Sequence, residues 1–181
     1  MKNQVPLPAD DQMPKDVLEE LQKHPPLNII RLLALVPECF KPWLDFVAGI
    51  YKTDFDPKLR EIAICRYGYK ANAPYELHQH KALAKQKGVS PAELEAILSE
   101  ENVVSLDEEG NLICKVVDEF EDLATLSDET FKELFSRYGV HKGMTLLVTL
   151  GHYSCVVRVL NSARVQLEKE SPLKNFKSPA G

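Results

Sequence analysis

The chain has 181 residues, a net charge of −5, 44% hydrophobic residues and 27% charged residues, enough for one domain with a substantial core. This acidic balance, with no block of Lys and Arg, speaks against a basic nucleic-acid-binding face. No run of 18 or more apolar residues suggests a membrane span, and residues 1–13 lack the apolar stretch of a secretory signal, so a cytoplasmic protein without a membrane partner is expected.

In chain order, residues 1–13 read as an extended arm and 14–23 as a short helix with Pro14 near its first position. Pro25-Pro26 stops it. Residues 27–36 carry apolar side chains at helical spacing (Leu27, Ile30, Leu33, Ala34), and Pro37 opens a helix reaching Tyr51. Asp56-Pro57 is an N-cap followed by a proline, so a helix starts there and runs to Tyr69. Lys70-Ala71-Asn72 breaks it, and residues 74–87 form the next helix, with Asn72 as its expected cap and Gly88 as its stop. Ser90-Pro91-Ala92-Glu93 is a capping box. An acidic loop spans 100–111, followed by helices over 112–126 and 127–138. Gly139 then separates a long last helix, 141–167, apolar over 144–150 and 156–160. Strand signals are scarce, which predicts an all-α, single-domain helical bundle. Residues 1–24 are expected to be an arm with a short helix, 25–168 the helical domain and 169–181 a polar tail in which Lys169, Lys174 and Lys177 are solvated. Cys39, Cys65, Cys114 and Cys155 are far apart and are expected to be reduced thiols.

The chemistry concentrates around one break. If the helices on either side of residues 70–72 fold back on each other, Glu61 and His80 lie about ten residues from the turn at the same height, given a rise of roughly 1.5 Å per residue. A carboxylate facing an imidazole is an acid–base pair, and Glu76, four residues before His80, adds a second carboxylate on the same helical face. A salt bridge pinning two helices explains the same residues, and so does an ordinary i,i+4 pair for Glu76. His78 sits on another side of the helix from His80, and neither His-Glu-x-x-His nor Glu-x-x-His spacing is present, so no metal is expected. Tyr75 either lines a pocket or packs. Arg60, Arg66 and Arg158 are the candidates among the arginines to pair with an anionic group. His152 and Tyr153 interrupt an apolar helix and need partners there; they read as satisfied core polar groups or as a pocket wall.

The order Glu61, then Ala73-Pro74-Tyr75-Glu76, then His80 resembles the carboxymuconolactone decarboxylase and alkylhydroperoxidase D superfamily. Leu59-Arg60-Glu61-Ile62-Ala63-Ile64, Gly88-Val89-Ser90-Pro91-Ala92-Glu93 and the late segment from Leu150-Gly151-His152-Tyr153 to Arg158-Val159-Leu160-Asn161 are similar to the family's text. The resemblance covers roughly residues 27–167. In the peroxidase branch a Cys-x-x-Cys pair stands where this chain has Ala73 and Glu76, so the thiol machinery is missing and the resemblance points to the decarboxylase branch. It implies a cofactor-independent carboxy-lyase of aromatic catabolism acting on a small carboxylated lactone or ring acid. His80, Glu61 and Glu76 would be catalytic, with Tyr75, Arg60, His152 and Tyr153 binding substrate, in a homo-oligomer (dimer, trimer or hexamer). An alkylhydroperoxidase-like antioxidant recruiting Cys65, and a non-catalytic small-molecule binding protein, are the alternatives.

Overall fold

A computed structural model describes residues 3–175, and among them there is no strand. The elements are α1 (Lys15–Leu21), α2 (Asn28–Leu33), α3 (Pro37–Tyr51), α4 (Pro57–Lys70), α5 (Pro74–Gln86), α6 (Pro91–Ser99), α7 (Glu108–Leu123) and α8 (Asp128–Ala163), with short 3-10 turns at Asp10–Gln12 and Pro172–Asn175. The architecture is the expected all-α bundle.

Helix α4 is its axle. The side chain of Asp56 accepts from the backbone N–H groups of Lys58 and Leu59, and Pro57 occupies the first turn, so α4 starts at the expected capping pair. Every residue from Leu59 to Gly68 is buried, because α5, α6, α7 and α8 all pack on this one helix. Ile62, Ile64, Tyr67, Ile113, Val117, Leu134, Leu146 and Leu150 form the main core around it. A second cluster, Met13, Val17, Ile30, Ala34 and Phe40, holds the N-terminal helices together. The capping box at Ser90 and Glu93 is formed, and Gly88 takes φ +92° at the end of α5.

Several boundaries differ from the sequence expectation. Asn72 is not the cap of α5: Ala73 holds that position, and Asn72 makes the turn itself in the left-handed region at φ 49°, which asparagine tolerates better than most residues. Pro14 precedes its helix as the cap residue. Helix α7 begins at Glu108 rather than 112, because Asp107 accepts from the Gly110 N–H and caps it early. The last helix stops at Ala163 with Arg164 left-handed, not at 167. Gly139 does interrupt the helical path, with φ 69° and ψ 174° inside α8.

By length and composition α8 meets the test for a membrane span, and 56% of that apolar stretch is buried against the rest of the chain, which is how a core helix of a bundle looks. Beyond α8 the chain is not a free tail. Glu168 accepts from the Asn28 N–H and the Tyr75 hydroxyl, Leu173 is buried, and Gln86 donates to the carbonyls of Leu173 and Lys174. Lys177 and the rest of 176–181 lie outside the described residues.

Candidate functional site

The α4–α5 hairpin brings Glu61 and His80 together. The Nδ1 of His80 is 2.8 Å from Glu61 Oε2, and its Nε2 is 3.4 Å from Glu76 Oε2. Glu61 is 1% exposed, and Glu76 and His80 are 5% exposed each, so three ionisable groups share one dry site. Glu76 stands in the first turn of α5, where the helix dipole favours negative charge. Burial opposes a charge on His80, but the carboxylates of Glu61 and Glu76 outweigh it and raise the imidazole from 6.5 to about 10. His80 is therefore an imidazolium at neutral pH.

Helix α8 supplies the next layer. The Tyr153 hydroxyl lies 3.2 Å from His80 Nε2, and its ring meets the imidazole edge-on at 5.1 Å. Tyr51, from the last turn of α3, places its hydroxyl 3.0 Å from that of Tyr153. His152 faces away into an aromatic cage made by Trp43 at 5.4 Å, Phe46 at 5.5 Å and Tyr153 at 5.2 Å. Burial and the neighbouring charge of His80 lower its pKa from 6.5 to about 4, so it stays neutral. Two histidines of opposite protonation state thus flank one tyrosine ring.

Of the residues expected in a site, Glu61, Glu76, His80 and Tyr153 converge, and His152 lies beside them. Tyr75 does not join them. Its hydroxyl donates to Glu168 at 2.6 Å and accepts from the Ile29 N–H, and its ring packs on Val156 and Leu160, because the returning C-terminal segment claims it. The arginines separate clearly. Arg66 is spent on Asp118 and on the carbonyls of Ile97, Glu100 and Glu101. Arg158 bonds the Tyr67 hydroxyl and pairs with Glu121. Arg60 is buried against Tyr51, its Cζ 4.5 Å from the ring centre. Tyr51, Trp43 and Phe46 were not anticipated; the short link between α3 and α4, residues 52–56, is the one sequence signal that sets the end of α3 beside Arg60 and Glu61.

Two further features bear on chemistry. A cleft of about 750 Å³ between α7 and the first part of α8, lined by residues including Lys115, Glu119, Asp122 and Arg137, shares no residue with the His80 cluster. Cys65, one turn beyond Glu61, is 0% exposed, and burial with the Glu61 charge pushes its thiol pKa up.

Residues 37–109 match the model of the Carboxymuconolactone decarboxylase family, a span holding Tyr51, Arg60, Glu61, Glu76 and His80. The fold is similar to two solved structures. One is described as the alkylhydroperoxidase AhpD core, an uncharacterized peroxidase-related protein from Ralstonia eutropha JMP134, with TM-score 0.77 and 11% identity over 94% of this chain and 96% of that one. The other is an uncharacterized peroxidase-related protein from Silicibacter sp. TM1040, with TM-score 0.78 and 14% identity over 93% and 94% of the two chains. At these identities the likeness is one of fold. No curated protein matches. Within residues 37–109 the chain is similar to the Carboxymuconolactone decarboxylase family, and beyond that span the likeness is one of fold.

Proposed function

We propose that the chain is a cofactor-independent carboxy-lyase acting on a small carboxylated lactone or related ring acid, with His80 as the proton donor. The observation that supports this reading is an imidazolium held ready in a dry site by two carboxylates. The substrate loses CO₂ as its C–C bond breaks, and the electron pair passes into the unsaturated lactone carbonyl, which makes a dienolate. His80 then delivers a proton to carbon and is recharged from solvent. The substrate carries its own electron sink, so the reaction asks only for orientation, exclusion of water and a proton. Glu61 acts through His80, fixing the ring and favouring its charged form, and is a positioning residue. Glu76 adds to the same field.

The peroxidase reading, suggested by the two similar structures being of peroxidase-related proteins, needs a reactive thiolate. Ala73 and Glu76 occupy the expected thiol positions, and Cys65 is buried with a raised pKa. The test is to supply an unsaturated carboxylated lactone and follow CO₂ release beside dithiol-dependent hydroperoxide consumption. CO₂ release that depends on His80 supports the lyase; peroxide consumption that depends on Cys65 supports the antioxidant; neither points to a binding protein.

Self-association belongs to the same reading. Val140, Met144 and Val148 lie exposed at successive turns of α8, an apolar stripe of the kind a partner subunit covers. Sedimentation is expected to give a dimer or larger species, and a 20.4 kDa monomer at micromolar concentration would remove this part of the reading.

A further inference from the structure

The polar cluster around His80 is directional, and its outer end is unused. Both ring nitrogens face carboxylates, Nδ1 towards Glu61 at 2.8 Å and Nε2 towards Glu76 at 3.4 Å. Against burial, the same two carboxylates raise the imidazole from 6.5 to about 10, so at neutral pH each nitrogen carries a hydrogen. The Tyr153 hydroxyl, 3.2 Å from Nε2, can then only accept from His80. The one other partner of this hydroxyl among the described residues is the Tyr51 oxygen, 3.0 Å away, so the Tyr153 hydrogen is assigned to it. Tyr51 accepts that bond, and its own O–H has no acceptor among the described residues.

Arg60 stands beside the same end. Its guanidinium lies over the Tyr51 ring, the residue is 4% exposed, and Nη1 donates to the Ile50 carbonyl at 3.3 Å. Nε is buried and has no partner, and no carboxylate pairs with Arg60 among the described residues. A guanidinium this buried is ordinarily paired with an acid, as Arg66 is with Asp118 on the same helix. Tyr51 is partly exposed as a residue, unlike His80 and Tyr153, which are buried. Burial and the Glu61 charge keep the Tyr51 hydroxyl protonated well beyond neutral pH, so it remains a donor.

We propose that Tyr51 is the group that receives an anionic oxygen of a small-molecule ligand, carboxylate or enolate, with Arg60 supplying the opposing charge. The proposal rests on His80 being a standing acid, since the direction of the chain follows from the doubly protonated ring. It goes beyond the lyase reading by naming the residues that hold the ligand, and it would serve a binding protein equally well.

Trp43 is the sole tryptophan of the chain and packs on His152, next to Tyr153, so its fluorescence reports on occupancy. Benzoate and sorbate are titrated beside their neutral amides, benzamide and sorbamide. At least one carboxylate is expected to give a saturable change, with its amide roughly tenfold weaker or more, the scale of one hydrogen bond to a charged group. Tyr51→Phe keeps the ring, removes the donor, and is expected to weaken the carboxylate by a similar factor with unchanged circular dichroism. Arg60→Gln is read in the same titration and is expected to weaken it at least as much. Equal binding of acid and amide, no binding of either acid, or undiminished affinity in Tyr51→Phe each overturns the proposal. Selective acid binding without any CO₂ release leaves Tyr51 in place and removes the lyase reading instead. CO₂ release with an unchanged KM in Tyr51→Phe does the reverse.

Discussion

Glu61 and His80 are nineteen residues apart in the chain and 2.8 Å apart in the fold, carboxylate to imidazole, with almost no solvent between them and the core. The pair joins α4 to α5 at the point where α8 adds Tyr153. A contact of that kind does two things together: it fastens a hairpin, and it sets the charge of the imidazole. The first two predictions separate those roles.

His80→Gln keeps a hydrogen-bonding side chain and removes the titrating one. On a substrate with verified turnover it is expected to lower kcat by about 10²–10⁴, the usual contribution of a positioned general acid. Glu61→Gln is expected to be intermediate and to move the pH profile, because the charge favouring imidazolium is lost. The His80 resonance, followed by NMR against pH, is expected to titrate well below about 10 in Glu61→Gln. If both variants turn over at the wild-type rate and the His80 titration does not move, the pair is only a staple between helices.

Stability is expected to peak near pH 6.5, with a different histidine behind each limb. The His80 pKa is raised from 6.5 to about 10, so above 6.5 the folded state holds a proton that the unfolded chain releases, and stability falls as pH rises towards 10. The His152 pKa is lowered from 6.5 to about 4, so below 6.5 the unfolded chain binds a proton that the folded state refuses, and stability falls as pH drops towards 4. From pH 9 the buried thiol of Cys114, pushed up to about 12 by burial, steepens the alkaline limb. Urea unfolding across this range is expected to show the alkaline limb flatten in His80→Gln and the acid limb flatten in His152→Phe. A wild-type midpoint constant from pH 5 to 9 would contradict both assignments.

What the chain reveals before folding is mostly local. Asp56-Pro57, Gly88 and the Ser90–Glu93 box mark helix ends because each acts within one turn of itself. The Glu61–His80 pair was legible for a related reason: a tight turn between two helices turns sequence distance into height. Tyr51, Trp43 and Phe46 were not legible, since they reach the site only through the way α3 lies across α4 and α8, and no period or motif records that packing. Tyr75, open between a pocket wall and packing, was undecided for the complementary reason. Its partner, Glu168, is ninety-three residues away, just past the expected end of the last helix. Arg60 and Arg66 look alike in sequence, and only tertiary partners make one a structural ion and leave the other unpaired.

The Arg66 pairing gives a stability prediction far from His80. Asp118→Ala leaves a fully buried guanidinium without its carboxylate and is expected to cost about 3–5 kcal/mol in chemical unfolding. Replacing both partners with apolar residues often restores such a loss, but Arg66 also serves the carbonyls of Ile97, Glu100 and Glu101 around the end of α6. The double variant Arg66→Met, Asp118→Leu is therefore expected to stay below the wild type, because those carbonyls lose a donor. Full recovery would mean that the arginine's bonds to those carbonyls add nothing net to stability.

Thiol reactivity decides between the lyase and antioxidant readings without any need for the physiological substrate. Cys39 and Cys155 are exposed, whereas Cys65 and Cys114 are buried. Burial raises both buried thiols, and for Cys65 the nearby Glu61 charge pushes in the same direction, so little thiolate forms near neutral pH. In a nucleophile for peroxide the surroundings would do the opposite, stabilising the thiolate and leaving it open to attack. Labelling of the native protein with an aromatic disulfide reagent, followed by mass mapping, is expected to leave Cys65 and Cys114 unmodified until denaturant is added. Hydroperoxide consumption in the presence of a dithiol is expected to equal the protein-free background, and Cys65→Ser is expected to leave it there. Rapid native labelling of Cys65, together with peroxide turnover that vanishes in Cys65→Ser, would make the thiol the working group and reduce the Glu61–His80 pair to its support.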